Sequence, residues 1–198
     1  MKMNEEDLPL EGIGGFSLRE AAIPGVTELV RSVHSDPRGT FSRFFDYEAL
    51  TKFGWPGTTY QVNVSVTSAK GTVRGMHAQL GMTPEYKLVT CVQGEAWDVC
   101  VDLRKDSETF LRWQAFSLSE SNSRSVLIPP GVAHGFQTLS DDVVMLYCHS
   151  APYEKEHETG VSPFDPALSI SWPVSVTVVS DRDQGHGPVQ PNFDGWSK

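Results

Sequence analysis

His77, Lys87, His134 and Tyr147 are the side chains through which this sequence could do chemistry. His77 ends the run Arg74-Gly75-Met76-His77, and Lys87 stands ten residues later at the start of the next apolar run. His134 lies in PPGVAHGF, flanked by Gly131 and Gly135, and Tyr147 lies in VVMLYCHS. An imidazole titrates near neutrality, an ammonium stabilises a developing oxyanion and a phenol can deliver a proton. Together they suit removal of a proton beside a carbonyl. A metal site is the competing reading. A jelly-roll metal centre wants two histidines two residues apart, a carboxylate and a third histidine. Here the pair reads His77-Ala78-Gln79, which leaves His77, Glu85 and His134 as a poor ligand set, so no metal is expected. A third reading makes His77 and Tyr147 ordinary core residues, because spacing alone does not show that these four side chains meet.

The elements that must position them are mostly strands. YQVNVSVT sets Val62, Val64 and Val66 against Gln61, Asn63 and Ser65, the alternation of a half-buried strand. KLVTCVQG, AWDVCVDLR, LRWQAFSLS, SRSVLIPP, GFQTLS and VVMLYCHS continue the series between Gly, Pro, Asn, Asp and Ser. Alternation along the last of these puts Met145, Tyr147 and His149 on one face, Leu146 and Cys148 on the other. Helix signals are sparse; DYEALTKFG is the best, with Asp46 as cap and Gly54 as stop. An all-β sandwich or barrel follows, and a jelly roll would close such strands around a pocket. We expect one domain over residues 1–180 and a polar, Gly/Pro-rich tail over 181–198, lying along the surface or partly disordered.

Composition limits the partners. At 198 residues the chain supports one full core. A net charge of −9 argues against a nucleic acid or an anionic membrane as partner. No run of 18 apolar residues occurs and the N-terminal stretch MKMNEEDLPL carries acids, so a cytoplasmic location is expected. Cys91, Cys100 and Cys148 sit in apolar runs without C-x-x-C spacing and are read as buried thiols.

Ordered motifs then carry a family resemblance. SDPRGTF (35–41), QVNVS (61–65), GTVRGMHAQ (71–79), YKLV (86–89), DVCVDLRKDSETF (98–110), IPPGVAHGF (128–136), DPALSISWP (165–173) and SDRD (180–183) occur in the order seen in nucleotide-diphospho-4-keto-6-deoxysugar epimerases. The chain resembles this family, that of dTDP-4-dehydrorhamnose 3,5-epimerase, from about Val33 to Asp183. The resemblance implies a cupin-type jelly-roll barrel and a homodimer in which an N-terminal segment completes the neighbour's sheet and pocket. It implies an isomerase that inverts C3, C5 or both of a nucleotide-linked ketosugar without metal or organic cofactor, in a pathway to lipopolysaccharide or another glycan.

Carried over residue by residue, His77 is the base, Asp183 its carboxylate partner, Tyr147 the acid on the opposite face of the sugar and Lys87 the group that stabilises the enolate oxygen. His134 is a second polar group near the sugar. Arg74, Arg38 and Arg182 are the expected diphosphate contacts, Arg182 standing where lysine is common in the family. Gln61 and Asn63 line the nucleotide end, unless they are a solvated strand face. Phe41 stacks on base or sugar, or serves as a core aromatic. One departure bears on the nucleotide: two positions beyond Phe41, many dTDP-rhamnose enzymes carry a glutamate that helps recognise thymine, and Arg43 stands there instead. A single-centre epimerase of a CDP- or GDP-linked ketosugar, and a non-catalytic sugar-nucleotide-binding cupin, are the alternatives.

Overall fold

The computed structural model describes residues 12–81 and 85–196. In chain order the elements are β1 (Gly12–Ile13), β2 (Phe16–Glu20), β3 (Thr27–Arg31), β4 (Val33–Asp36), β5 (Gly39–Ser42), α1 (Tyr47–Lys52), β6 (Gln61–Thr67) and β7 (Val73–Gln79). Then follow β8 (Lys87–Gln93), β9 (Glu95–Asp102), β10 (Trp113–Ser119), β11 (Arg124–Ile128), β12 (Val132–Thr138), β13 (Val143–His149), β14 (Glu158–Gly160) and α2 (Asp181–Gly185). One sheet runs β1-β2-β3-β11-β8-β13-β6 and the other β10-β9-β12-β7-β14, while β4 and β5 form a separate hairpin. This is the all-β jelly roll with few short helices that the strand pattern predicts.

Alternation along each strand sends one set of side chains between the sheets and the other outward. Val89, Cys91, Val126 and Met145 from the larger sheet meet Ala96, Cys100, Phe116, Leu118 and Phe136 from the smaller one, and fill part of the interior. The outer face of the larger sheet is covered by α1, whose Ala49 and Leu50 pack with Phe16, Trp55, Leu88 and Cys148. Asp46 caps that helix by accepting from the Ala49 N–H at 2.9 Å, and Gly54 follows it at φ +98°. The outer face of the smaller sheet is covered by the C-terminal segment: Trp172, Val189, Phe193 and Trp196 pack against Val99, Val101 and Leu103. That segment is pinned by the Trp196 N–H donating to Leu103 O at 2.6 Å and by a Lys105–Asp194 ion pair at 2.6 Å.

Strand β3 is paired on both edges within the chain, by β2 and β11, so the TELVR stretch finds its partners internally. The hairpin β4–β5 stands almost wholly exposed. On the edge strand β6 the valines face outward: Val62, Val64 and Val66 are 58%, 59% and 64% exposed. Gln61, Asn63 and Ser65 take the other face, from which Ser65 Oγ meets Tyr147 OH at 3.0 Å. Of that polar half, Gln61 and Ser65 are half-buried, whereas Asn63 is exposed. Among the described residues no helix is long and apolar enough to cross a membrane.

Candidate active site

His77 projects from β7 in the smaller sheet, and its Nε2 lies 2.7 Å from Asp183 Oδ1. Asp183 is 3% exposed and is delivered by the short turn α2, which Ser180 caps by accepting from the Asp183 N–H at 3.1 Å. The second carboxylate oxygen accepts from the Gly75 N–H at 3.1 Å. Burial alone would push this carboxyl up, but the bonds from His77, Gly75 and Ser180 outweigh it and hold it below the ordinary carboxylate range. An ionised carboxylate only accepts, so the ring donates through Nε2 and keeps its Nδ1 lone pair to take a proton.

Local backbone makes this possible. Gly75 has φ +132°, and a Cβ there would lie 2.5 Å from Gly135 Cα, so two glycines let β7 and β12 approach where the register shifts between His134 and Phe136. His186, from the C-terminal segment, sets its ring edge-on to His77 at 5.7 Å, over the bare Cα of Gly160. Burial, then the neighbouring His77, lowers its pKa. Among the described residues His77, Asp183 and His186 bring one ligand atom each within 4.8 Å, so an ion there would have to displace the His77–Asp183 hydrogen bond. The metal set weighed from the sequence does not converge on one point, since His77, Glu85 and His134 each pair with a different neighbour.

Tyr147 projects from β13 in the opposite sheet, its ring 6.3 Å from that of His134. Register places His134 beside His77, so the Tyr147 phenol from one sheet and the His77 imidazole on the other both neighbour His134. Burial raises the phenol pKa to about 12, with the Ser65 hydrogen bond opposing it. His134 Nε2 lies 2.7 Å from Asp98 Oδ2, and Asp98 is fully buried. Lys87 Nζ lies 3.3 Å from Glu85 Oε2, whose other oxygen lies 2.9 Å from His149 Nδ1.

The remaining expected contacts divide. Arg74 lies on β7 with Nη1 3.5 Å from Thr67 Oγ1, and its charge acts on Tyr147. Gln61 and Asn63 are in register with His149 and Tyr147 at the barrel mouth. Arg182 turns from the dyad to Glu158 at 2.5 Å, and Glu158 also accepts from Tyr153 OH at 2.7 Å. Arg38 and Phe41 are not brought to His77 of their own chain. Both sit on the β4–β5 hairpin, where the Arg38 side chain is 90% exposed and tied to Asp36, and Phe41 is 70% exposed. Arg43 is held by Asp46 at 2.5 Å. Asp98, Ser65, His186 and the Glu85–His149 pair escape a reading of motifs. Asp98 left a signal, a carboxylate at an alternate position of the apolar run AWDVCVD.

The fold and these groups define a class, the cupin barrels that carry paired imidazoles and carboxylates on one sheet and a buried phenol on the other. The family model for dTDP-4-dehydrorhamnose 3,5-epimerase matches residues 20–190. A dTDP-4-dehydrorhamnose 3-epimerase of Streptomyces niveus is 38% identical over 84% of this chain and 81% of its own. A dTDP-4-dehydrorhamnose 3,5-epimerase of Mycobacterium tuberculosis is 37% identical over 89% of this chain and 87% of its own. Among solved structures, NovW, a 4-keto-6-deoxy sugar epimerase of Streptomyces spheroides, superposes with a TM-score of 0.83 at 36% identity, covering 92% of this chain and 91% of that one. The chain belongs to the dTDP-4-dehydrorhamnose 3,5-epimerase family and is a carbohydrate epimerase, an isomerase.

Proposed function

We propose that this enzyme inverts C5, C3 or both of a dTDP-linked 4-keto-6-deoxyhexose. The observation that carries the reading is the His77–Asp183 dyad on the smaller sheet, with Tyr147 of the larger sheet packed against His134 beside it. His77 removes the proton next to the C4 ketone, and the electron pair moves into an enolate. Lys87 stabilises the oxygen, and Asp183 the imidazolium. Tyr147 returns a proton from the other face, which inverts the centre; a single residue shuttling alone would restore it. A carbon acid of this kind is too weak for histidine without stabilisation of its oxyanion in a dry cavity, which is the work of Lys87. His134 contacts the sugar, while Gln61, Asn63, Arg74 and Arg182 serve the nucleotide end. Each step is met by side chains of the protein.

The thymidine nucleotide is supported by the relatives at 37% and 38% identity, both named for dTDP substrates. One of these is a 3-epimerase and the other a 3,5-epimerase, so the number of inverted carbons is read from the reaction itself. The active unit is a homodimer. The outward valines of β6 and the projecting hairpin with Arg38 and Phe41 fit a surface that a second copy covers, the hairpin then serving the neighbour's pocket. Three free, buried cysteines fit a reducing cytoplasm.

Proton NMR in D2O of dTDP-4-keto-6-deoxyglucose with wild-type protein and His77→Ala tests the reaction. Wild type replaces the C5 proton, the C3 proton or both with deuterium and gives inverted product; the variant loses at least about 10²-fold in rate. Exchange equally fast in the variant removes His77 as the base, and none from wild type removes the activity.

A further inference from the structure

The barrel holds a third carboxylate–imidazole pair that these proton transfers do not use. Glu85 is 7% exposed and grips two neighbours at once, His149 Nδ1 at 2.9 Å and Lys87 Nζ at 3.3 Å. Burial alone would raise its carboxyl; the His149 hydrogen bond and the Lys87 charge outweigh this and hold it below its ordinary range. His149 stands two residues beyond Tyr147 on β13, so both rings leave the same face of the strand. They stack with centroids 6.2 Å apart and planes 29° from parallel. One buried carboxylate thus fixes the Lys87 ammonium and also the ring that backs the phenol of Tyr147, whose hydroxyl Ser65 holds from β6.

We infer that His149, held by Glu85, is a positioning residue that aims Tyr147 at the face of the sugar opposite His77. The inference rests on the reading of Tyr147 as the acid. An enolate formed by His77 has two fates. If the imidazolium exchanges its proton with D2O and returns a deuteron to the face the proton left, the configuration is restored and the carbon is marked. If Tyr147 donates, its O–H bond breaks as the new C–H bond forms and the centre inverts. The phenolate then recovers a proton from solvent, and the imidazolium releases one, so the net proton count is unchanged. Which fate prevails depends on where the phenol stands, and displacements near 1 Å cost about 10²-fold at such a step. A general loss of stability would slow both fates together and leave their ratio alone.

The test reads both from one NMR sample in D2O, deuterium uptake and inverted product, for wild type and three variants checked for folding by circular dichroism. His149→Ala is expected to lower the ratio of inversion to exchange about tenfold or more, with exchange itself within about threefold of wild type. His149→Asn keeps an N–H for Glu85 but removes the ring, and gives the same low ratio; it replaces the alanine variant if that one does not fold. His149→Phe keeps the ring and restores the ratio to within about threefold. An unchanged ratio in the alanine or asparagine variant, with wild type active, overturns the inference alone. A wild-type protein that neither exchanges nor inverts overturns the functional reading and this inference with it.

Discussion

At the scale of single residues, two opposite perturbations of acidity divide the labour. The Asp183 carboxyl is held low by its hydrogen bonds, so His77 keeps an ionised partner across the neutral range. The Tyr147 phenol is pushed up to about 12 by burial, so it stays protonated where an exposed phenol, near 10, is half ionised. The sign follows: raising the pH to about 10 leaves the acid loaded, and the ratio of inversion to exchange stays flat. Rates of both followed by NMR from pH 7 upward check this, and a ratio that falls through the ordinary phenol range contradicts it. Tyr147→Phe is expected to keep deuterium exchange at the carbon His77 addresses while losing inversion by about 10²-fold. His77, Lys87, His134 and Asp183 could be picked out because each sits in one of the ordered motifs, and Tyr147 because strand alternation gives it a face. The pairing of Asp98 with His134 and of Glu85 with His149 was not legible, since it shows only once strands distant in sequence lie side by side.

At the scale of elements, the close antiparallel pairing of β7 and β12 sets the position of His77. A Cβ on Gly135 would meet Arg74 O and Met76 Sδ, both at 2.7 Å, inside a packed sheet with no room to yield. Gly135→Ala should therefore cost about 2 kcal/mol. That lowers the melting temperature by roughly 4–8 °C in a chain of this length, as a thermal melt would show. Helix α1 was readable because Asp46 and Gly54 mark its ends by local chemistry. The turn α2 was not, since SDRDQGHGP has the composition of a loop and is ordered by Ser180 and by contact with β7. Strand β6 shows the limit of period two: alternation gives two faces but not which one is inside, and here the valines face out while Ser65 bonds Tyr147 within.

At the scale of the whole molecule, the exposed hairpin and the site it does not reach lead to a mixing experiment. If Arg38 and Phe41 serve the neighbouring subunit, His77→Ala protein combined with an Arg38→Ala, Phe41→Ala double variant forms mixed dimers with one intact site each. An equal mixture, refolded together, then recovers about one quarter of wild-type activity, though neither parent is active alone. Recovery no greater than the sum of the parents assigns the hairpin elsewhere. The barrel class was legible from strand spacing, whereas the packing of the C-terminal segment was not, because Phe193 and Trp196 are islands in a polar sequence. That segment carries one more consequence. The base and its carboxylate are 106 residues apart in the chain. A ribosome has completed every strand of both sheets before it reaches Asp183. During synthesis the strands of both sheets are therefore made before the carboxylate that pairs with His77, and that pair can form only once the chain has returned through α2 to β7.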